Sequence, residues 1–206
     1  MYGRRLHIAR SAALAAGLVM LLASTGWFLL RYRVYAIPTV SMAPLITPGD
    51  RVVVDTWSQD AASGDVVLLD GENLLLKRVA ATGGETITCC GDASAITTGQ
   101  VTVGTGTTPF TVRIPAGRLF VLGDNAAASL DSRAAAGTPS AADGDGTLPT
   151  TQVRGRAVAV ISPAHQRLLP DRAAATLTRT GMVFAAGLVL LLTAALLTLR
   201  SSPADG

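Results

Sequence analysis

Two long apolar runs, one at each end of the chain, most constrain how it can fold. Residues 12–30 and 181–199 each hold 19 residues without a charged side chain. A helix needs about 20 apolar residues to cross a bilayer. The sequence therefore predicts transmembrane helices over residues 11–30 and 180–199, with a domain of residues 31–179 between them and short tails, 1–10 and 200–206, outside them.

Composition agrees with a membrane protein. The chain of 206 residues is 49% hydrophobic and 15% charged, which is more apolar than an average soluble protein. Its net charge of +3 is spread over single arginines, without a basic cluster or interleaved aromatic residues. This pattern does not favour a nucleic-acid partner.

The first apolar run could also be a cleavable signal peptide. Arg4, Arg5 and Arg10 precede it, and residues 34–36 loosely resemble a small-residue cleavage site. However, the apolar core of a signal peptide spans about 7–15 residues, and Arg31 lies between the run and that site. The length favours a retained anchor.

Flanking charges do not decide the orientation. With both termini inside, four arginines flank the helices on each side of the membrane. The charge bias is read chiefly from loops shorter than about 60 residues, and the connecting segment is longer.

The segment between the helices is mainly β in character. Short runs rich in Val, Ile, Leu and Thr are separated by Gly, Pro, Asp and Ser, which predicts strands and turns. The predicted strands are residues 51–55, 66–70, 74–80, 86–89, 110–114, 118–122 and 153–161. Residues 94–109 and 134–149, dominated by small and polar residues, are predicted to be surface loops.

Lys77 is the only lysine beside 16 arginines. An arginine keeps its proton in proteins, whereas a lysine in an apolar setting can become a neutral general base. Strand alternation places Lys77 on one face with Leu75 and Val79, while Arg78 points to the other face. Burial there predicts a lowered pKa.

Two polar segments accompany this strand. The first, Pro38-Thr39-Val40-Ser41-Met42-Ala43-Pro44, begins a few residues after the first apolar run, so a reactive serine there would lie close to the membrane surface. The second, residues 123–133, reads Gly-Asp-Asn-Ala-Ala-Ala-Ser-Leu-Asp-Ser-Arg and follows a predicted strand. Taken singly, the two segments could be a proline-rich linker and an ordinary turn.

Together and in this order, these segments resemble the bacterial type I signal peptidases, which are membrane-anchored proteases with a Ser/Lys dyad. The match includes three motifs: Ser-Met-x-Pro-x-Leu-x-x-Gly-Asp from Ser41, Lys-Arg-Val from Lys77, and Gly-Asp-Asn-x-x-x-Ser-x-Asp-Ser-Arg from Gly123. A fourth segment, residues 146–157, is similar to the closing strand of that family, and the C-terminal helix is similar to an arrangement in some high-GC Gram-positive bacteria.

The resemblance implies a role for each matching position. Ser41 would be the nucleophile and Lys77 the general base. Ser129 would orient the lysine amine, and the Thr39 hydroxyl with the Ser41 amide would form the oxyanion hole. Mainly structural roles would fall to a set of charged residues, namely Arg78, Asp124, Asp131 and Arg133.

The chain also departs from the family pattern in two places. Residues 81–85 keep the turn after the Lys-Arg-Val strand but change its details. Ala126, Ala127 and Ala128 stand where polar residues are common. Neither change touches the expected dyad.

The resemblance further implies an antiparallel β catalytic domain flanked by an N-terminal and a C-terminal transmembrane helix. The activity would be removal of signal peptides from secretory preproteins with small residues at −1 and −3, at the outer face of the cytoplasmic membrane. The protein would be a multi-pass membrane protein that needs no cofactor or metal. A Ser/His/Asp triad would have only His7 and His165 to use, and both lie far from the polar segments in sequence.

Other functions stay open from the sequence. The chain could be a dedicated relative that matures one pilin-like or conjugation substrate, or a non-catalytic, membrane-tethered β domain that binds a partner. Self-cleaving repressors also use a Ser/Lys dyad on a related fold, but the two apolar runs and the lack of a DNA-binding helical domain disfavour them. The adjacent Cys89 and Cys90 could be free thiols, an intermolecular bridge or a vicinal disulfide.

Overall fold

The computed structural model describes residues 2–71, 74–89, 110–135, 146–163, 166–169 and 172–199. The helices are α1 (Tyr2–Arg31), α2 (Ser132–Ala135) and α3 (Arg172–Leu199). The strands are β1 (Tyr32–Ala36), β2 (Arg51–Asp55), β3 (Val66–Leu69), β4 (Leu75–Thr82), β5 (Thr86–Cys89), β6 (Phe110–Arg113), β7 (Arg118–Leu122), β8 (Leu148–Pro149), β9 (Val153–Ile161) and β10 (Gln166–Leu168). Two compact units result: the helical unit contains α1 and α3, and the β unit covers Tyr32–Asp171.

The β unit is built on one antiparallel sheet. Its strands follow the order β1-β2-β9-β3-β4-β7-β8, with β10 paired to β9, and a separate hairpin is formed by β5 and β6. The long strand β9 joins the two halves of the sheet because it pairs with β2 on one side and β3 on the other. The mainly antiparallel β fold expected from the sequence is confirmed.

The core of the β unit lies in clusters on both faces of the sheet. One cluster joins the loop residues Met42 and Ile46 to Val54 of β2, Leu68 of β3 and Leu76 of β4. All five side chains are buried. Because burying a leucine or isoleucine side chain is worth roughly 1.5–3 kcal/mol, this cluster ties the loop after β1 to the sheet.

The opposite face carries a second cluster. Its members are Val67 and Leu69 of β3, Val79 of β4, Leu119 and Val121 of β7, and Val153 of β9. Alternation along β4 sends Leu76 into the first cluster and Val79 into the second. Lys77 shares the face of Val79, which is the face predicted for it.

The helical unit consists of two long apolar helices. Ser11–Arg31 and Thr178–Leu196 are each long and apolar enough to span a membrane. Most of their large apolar side chains are exposed, including Leu18, Val19 and Leu22, whereas a core helix of a soluble protein would bury them.

The two helices approach each other closely at a pair of glycines. A Cβ added to Gly17 would lie 2.8 Å from Leu191 Cγ and 3.1 Å from the Gly187 carbonyl oxygen. A Cβ added to Gly187 would lie 3.1 Å from Met20 Cβ. Small residues at such crossings let two backbones pack directly in a membrane.

Candidate active site

Lys77 lies near the start of β4, on the sheet face that it shares with Val79. Only 4% of its surface is exposed. It pairs with Val67 on β3, and Arg78 pairs with Leu122 on β7. One further step of that register sets Lys77 beside Gly123, the residue after β7.

The lysine amine has a defined partner. Its Nζ donates a hydrogen bond to Ser129 Oγ over 3.0 Å. Ser129 follows a short 3₁₀ turn, Ala126–Ala128, that leads back from β7. The contact therefore joins two segments that are 52 residues apart in sequence.

Gly123 allows this approach because it has no side chain. A Cβ at this position would clash with Ser129 Oγ, and would lie 2.5 Å from Ser129 Cβ and 2.6 Å from the Ser41 carbonyl oxygen. Real Cβ atoms essentially never lie this close to atoms to which they are not bonded. Gly123 thus brings Ser41, Ser129 and the strand of Lys77 together.

Ser41 sits in a loop that is fixed at both ends. The Ile37 amide donates to the Asp50 carbonyl oxygen, and the Gly49 amide donates to the Ile37 carbonyl oxygen. The Asp50 carboxylate is buried and accepts hydrogen bonds from the amide and hydroxyl of Thr47 at 2.8 and 3.1 Å. Met42, next to the serine, is 1% exposed and anchors the loop in the core.

Asn125 connects this loop to the segment after β7. Its backbone amide donates to the Ser41 carbonyl oxygen over 3.0 Å, and its side-chain Nδ2 donates to the Val40 carbonyl oxygen over 3.2 Å. Two consecutive carbonyls of the serine loop are therefore held by one residue. The sequence offered Asn125 only as part of a motif, without a role.

Ser41 and Lys77 line the same cleft, whose volume is about 600 Å³. Its walls also include Thr39, whose Oγ1 lies 3.4 Å from Ser41 Oγ. Aliphatic residues form most of the remaining surface, namely Ile37, Met42, Leu68, Leu74, Leu75, Leu76, Ala128 and Leu130. The cleft is open and largely apolar, and its wall includes the hydroxyls of Thr39 and Ser41 and the amine of Lys77.

Asp131 and Arg133 form a buried ion pair next to the lysine. Arg133 Nη2 lies 2.6 Å from Asp131 Oδ2, and the two side chains are 8% and 1% exposed. The same carboxylate accepts the Gly123 amide at 2.8 Å. The pair therefore fixes the backbone of Gly123, the glycine that both Ser41 and Ser129 contact.

A second ion pair supports the other face of β4. Arg78 donates to both carboxylate oxygens of Asp124 at 2.7 and 2.6 Å, and its Nη1 donates to the Gly64 carbonyl oxygen at 2.9 Å. This bidentate geometry is the strong form of an arginine–carboxylate contact. It ties β4 to the segment that carries Asn125 and Ser129.

Burial and these charges set the protonation of the site. Burial lowers the pKa of Lys77; the nearby Asp131 carboxylate opposes this effect, and Arg133 adds to it. For Asp131, burial raises the pKa, but hydrogen bonds from Arg133, the Gly123 amide and Ser129 outweigh it and hold the pKa below its usual value. Lys77 is thus moved toward the neutral amine while Asp131 stays ionised.

The structure places three of the expected residues, Thr39, Ser41 and Lys77, along one cleft. Ser129 bonds the lysine amine, and the Asp131–Arg133 pair lies next to it. The Arg78–Asp124 pair supports the other face of β4. Asn125 and Gly123 are additions that sequence reasoning did not single out. His165 and Cys90 lie outside the described residues, as does most of each predicted loop. His7 belongs to α1, and Cys89 ends β5.

Comparison with known proteins agrees with this geometry. The signal peptidase family, peptidase S26, matches residues 6–104 and 94–162 of the chain. The chain belongs to this family. The match includes α1, the serine loop, β4 and the segment after β7, so the resemblance found in the sequence is confirmed.

Individual signal peptidases show the same relationship. A probable signal peptidase I of Mycobacterium leprae is 27% identical over 198 residues, covering 64% of this chain and 68% of the relative. Signal peptidase I U of Bacillus subtilis is 30% identical over 136 residues, covering 56% and 73%. Signal peptidase I of Mycobacterium tuberculosis is 28% identical over 193 residues, covering 64% and 65%.

Proposed function

We propose that this member of the signal peptidase family is a serine endopeptidase that removes N-terminal signal peptides from secretory preproteins. Ser41 is the nucleophile and Lys77 the general base. The observation that carries the proposal is the hydrogen bond from Lys77 to Ser129 at the wall of a cleft that Ser41 and Thr39 also line. A lone buried amine beside two hydroxyls suits proton transfer from a serine.

Lys77 transfers protons in both the acylation and the deacylation half of the reaction. Neutral Lys77 accepts the Ser41 proton as Oγ bonds to the scissile carbonyl carbon. When the carbon–nitrogen bond breaks, Lys77 returns that proton to the leaving amine, and it then deprotonates the water that hydrolyses the acyl-enzyme. A free lysine, with a pKa of about 10.4, would be protonated at neutral pH, so the lowered pKa of Lys77 is what allows the first step.

The remaining side chains hold this geometry. The hydrogen bond to Ser129 uses one N–H of the Lys77 amine. The lone pair of the neutral amine therefore points away from Ser129, into the cleft. The Thr39 hydroxyl and the Ser41 amide donate to the tetrahedral oxyanion, and one such donor is typically worth about 3–4 kcal/mol. The ion pairs of Arg78 with Asp124 and Asp131 with Arg133 keep the supporting segments in place.

The cleft also supports a substrate class. Its wall is made of close-set aliphatic side chains, so residues at −1 and −3 of the preprotein would need small side chains such as alanine. The two apolar helices anchor the enzyme in the cytoplasmic membrane as a multi-pass protein. Residues 31–179 would face outward, where signal peptides become accessible.

The test is cleavage of a secretory preprotein with an Ala-x-Ala site by the detergent-solubilised protein, followed by N-terminal sequencing of the product. Ser41→Ala should abolish cleavage while the thermal unfolding midpoint stays unchanged. Ser63→Ala is the matched control, because that hydroxyl bonds the exposed Glu85 carboxylate. Substantial turnover by Ser41→Ala, or equal cleavage of a −1 Phe substrate, would contradict the proposal.

A further inference from the structure

A second cavity of about 200 Å³ lies in the β unit on the Lys77 face of the sheet. Its apolar walls come from four strands and one loop: Leu69, Leu75, Val121, Leu148 and Leu130. The Lys77 side chain forms part of the same wall. The cavity is smaller than the ~300–1,000 Å³ of pockets for drug-sized ligands, so its size suits a single side chain.

This cavity adjoins the candidate active site. Three residues, Leu75, Lys77 and Leu130, line both the second cavity and the cleft that holds Ser41. Leu130 is 82% exposed although it follows Ser129 and precedes the buried Asp131. An aliphatic side chain held in solvent at this point is available to contact a bound chain.

We propose that the second cavity binds an apolar side chain of the substrate on the leaving side of the scissile bond, and that its occupation excludes water from Lys77. The proposal rests on the proposed function. It adds a specificity site and a link between substrate binding and the strength of the base.

The proton that Lys77 must deliver indicates which side of the scissile bond the second cavity serves. The leaving nitrogen takes it across a hydrogen-bond distance of about 3 Å, so the first residues of the leaving chain start beside Lys77. The residues before the cut bond occupy the larger cleft with Ser41 and Thr39. The second cavity, which Lys77 also lines, is then the space open to a side chain at +1 or +2.

Charge favours an apolar occupant. Two ionised side chains act on Lys77, namely Asp131 at the cavity wall and Arg133. They already bond each other, so a charged substrate side chain would lose its hydration without gaining a free partner. An aliphatic side chain would instead displace water from the lysine stem, which disfavours the ammonium form.

Preproteins that carry Ala, Leu or Asp at +1 and at +2 provide the test, with kcat/KM measured against pH. For the unmodified enzyme we expect kcat/KM with Leu to exceed that with Asp by roughly tenfold or more at one of the two positions. The rise of activity with pH should also begin at a lower pH for the Leu substrate. Equal kcat/KM for Leu and Asp at both positions would overturn the proposal.

Val121→Met places extra volume in the cavity, and it should bring the Leu-to-Asp ratio close to one. Val112→Met, a half-buried valine outside both cavities, is the matched control and should keep the parent ratio. Leu148→Ala enlarges the cavity and should move the preference toward Phe, which keeps the idea testable if Val121→Met does not fold. An unchanged Leu-to-Asp ratio in Val121→Met, together with an unchanged Phe-to-Leu ratio in Leu148→Ala, would overturn the proposal.

The outcomes separate this proposal from the function on which it rests. If the parent enzyme cleaves no preprotein of the series, the signal peptidase activity itself fails. If it cleaves the Ala substrate but does not discriminate at +1 or +2, only the second cavity loses its role.

Discussion

At the scale of single residues, Lys77 shows how burial on a strand lowers the pKa of an amine. Leu75 and Val79, which share its face of β4, are aliphatic. Its exposed surface is 4%, and its Nζ has the Ser129 hydroxyl as a partner. Asp131 favours the ammonium form of Lys77, and the positive charge of Arg133 acts against this effect. Burial is therefore the main cause of the lowered pKa of Lys77, and the Asp131–Arg133 pair adjusts it.

Replacing Lys77 tests the base directly. Lys77→Arg keeps the charge but cannot lose its proton at working pH, so we expect activity to fall to background in a preprotein assay. Acetylation offers a second route because Lys77 is the only lysine in the chain. Loss of activity should follow modification of this residue by mass spectrometry rather than modification of the N-terminal amine.

The pH dependence of the parent enzyme has a defined sign. Because burial lowers the pKa of Lys77, the neutral form becomes populated at a lower pH than for a free lysine, and kcat/KM should rise as Lys77 loses its proton.

Retained cleavage by Lys77→Arg or by fully acetylated enzyme would place the base elsewhere.

Asn125 should act as a positioning residue. Asn125→Ala removes the hydrogen bond to the Val40 carbonyl, a contact worth about 1 kcal/mol, so we expect kcat to fall roughly fivefold with little change in KM. Asn125→Asp, which has the same size but no donor, should behave similarly. Unchanged kcat in both variants, or a loss that parallels a lower unfolding midpoint, would refute this role.

At the scale of elements, alternation and turn residues predicted most of the sheet. The runs 51–55, 118–122 and 153–161 coincide with β2, β7 and β9. The strands β1, β8 and β10 were not predicted. β8 has two residues and β10 has three, and β1 directly follows α1 without a turn residue, so all three depend on their partner strands rather than on local sequence.

The candidate site also contains residues that the sequence predicted and residues that it did not. The types of residue and their order predicted Ser41, Lys77 and Ser129, because each belongs to a recognisable motif. The functions of Gly123 and Asn125 depend on the distance between the serine loop and the segment after β7. A contact of that kind spans about 80 residues of chain, and no local pattern encodes it.

The glycine crossing of α1 and α3 allows a test at this scale. Gly17→Leu would place side-chain atoms against Leu191 and the Gly187 carbonyl, and overpacking of this kind typically costs about 1–3 kcal/mol. We expect a lower thermal unfolding midpoint in detergent. Gly26→Leu is the matched control, since a Cβ there meets nothing within 4 Å; equal midpoints for the two variants would argue against a close helix crossing.

At the scale of the whole molecule, orientation in the membrane is the property that arginine counts left open. Since signal peptides are cleaved on the outer side, protease added to spheroplasts should degrade residues 31–179 and leave both termini protected. Tags at the two ends, followed by immunoblotting, provide the measurement. Degradation of this domain only in inverted vesicles would show the opposite orientation.

In the sequence, the β unit lies between α1 and α3, the two helices of the helical unit. A single break in a loop between β2 and β9 therefore leaves two fragments, each with one of the two apolar helices. Where both helices span the membrane, as proposed, β2 and β9 stay confined to the same bilayer at a high effective concentration. Nicking by another protease, or by a second copy of the enzyme, would then leave a split protein able to reassemble where it was cut.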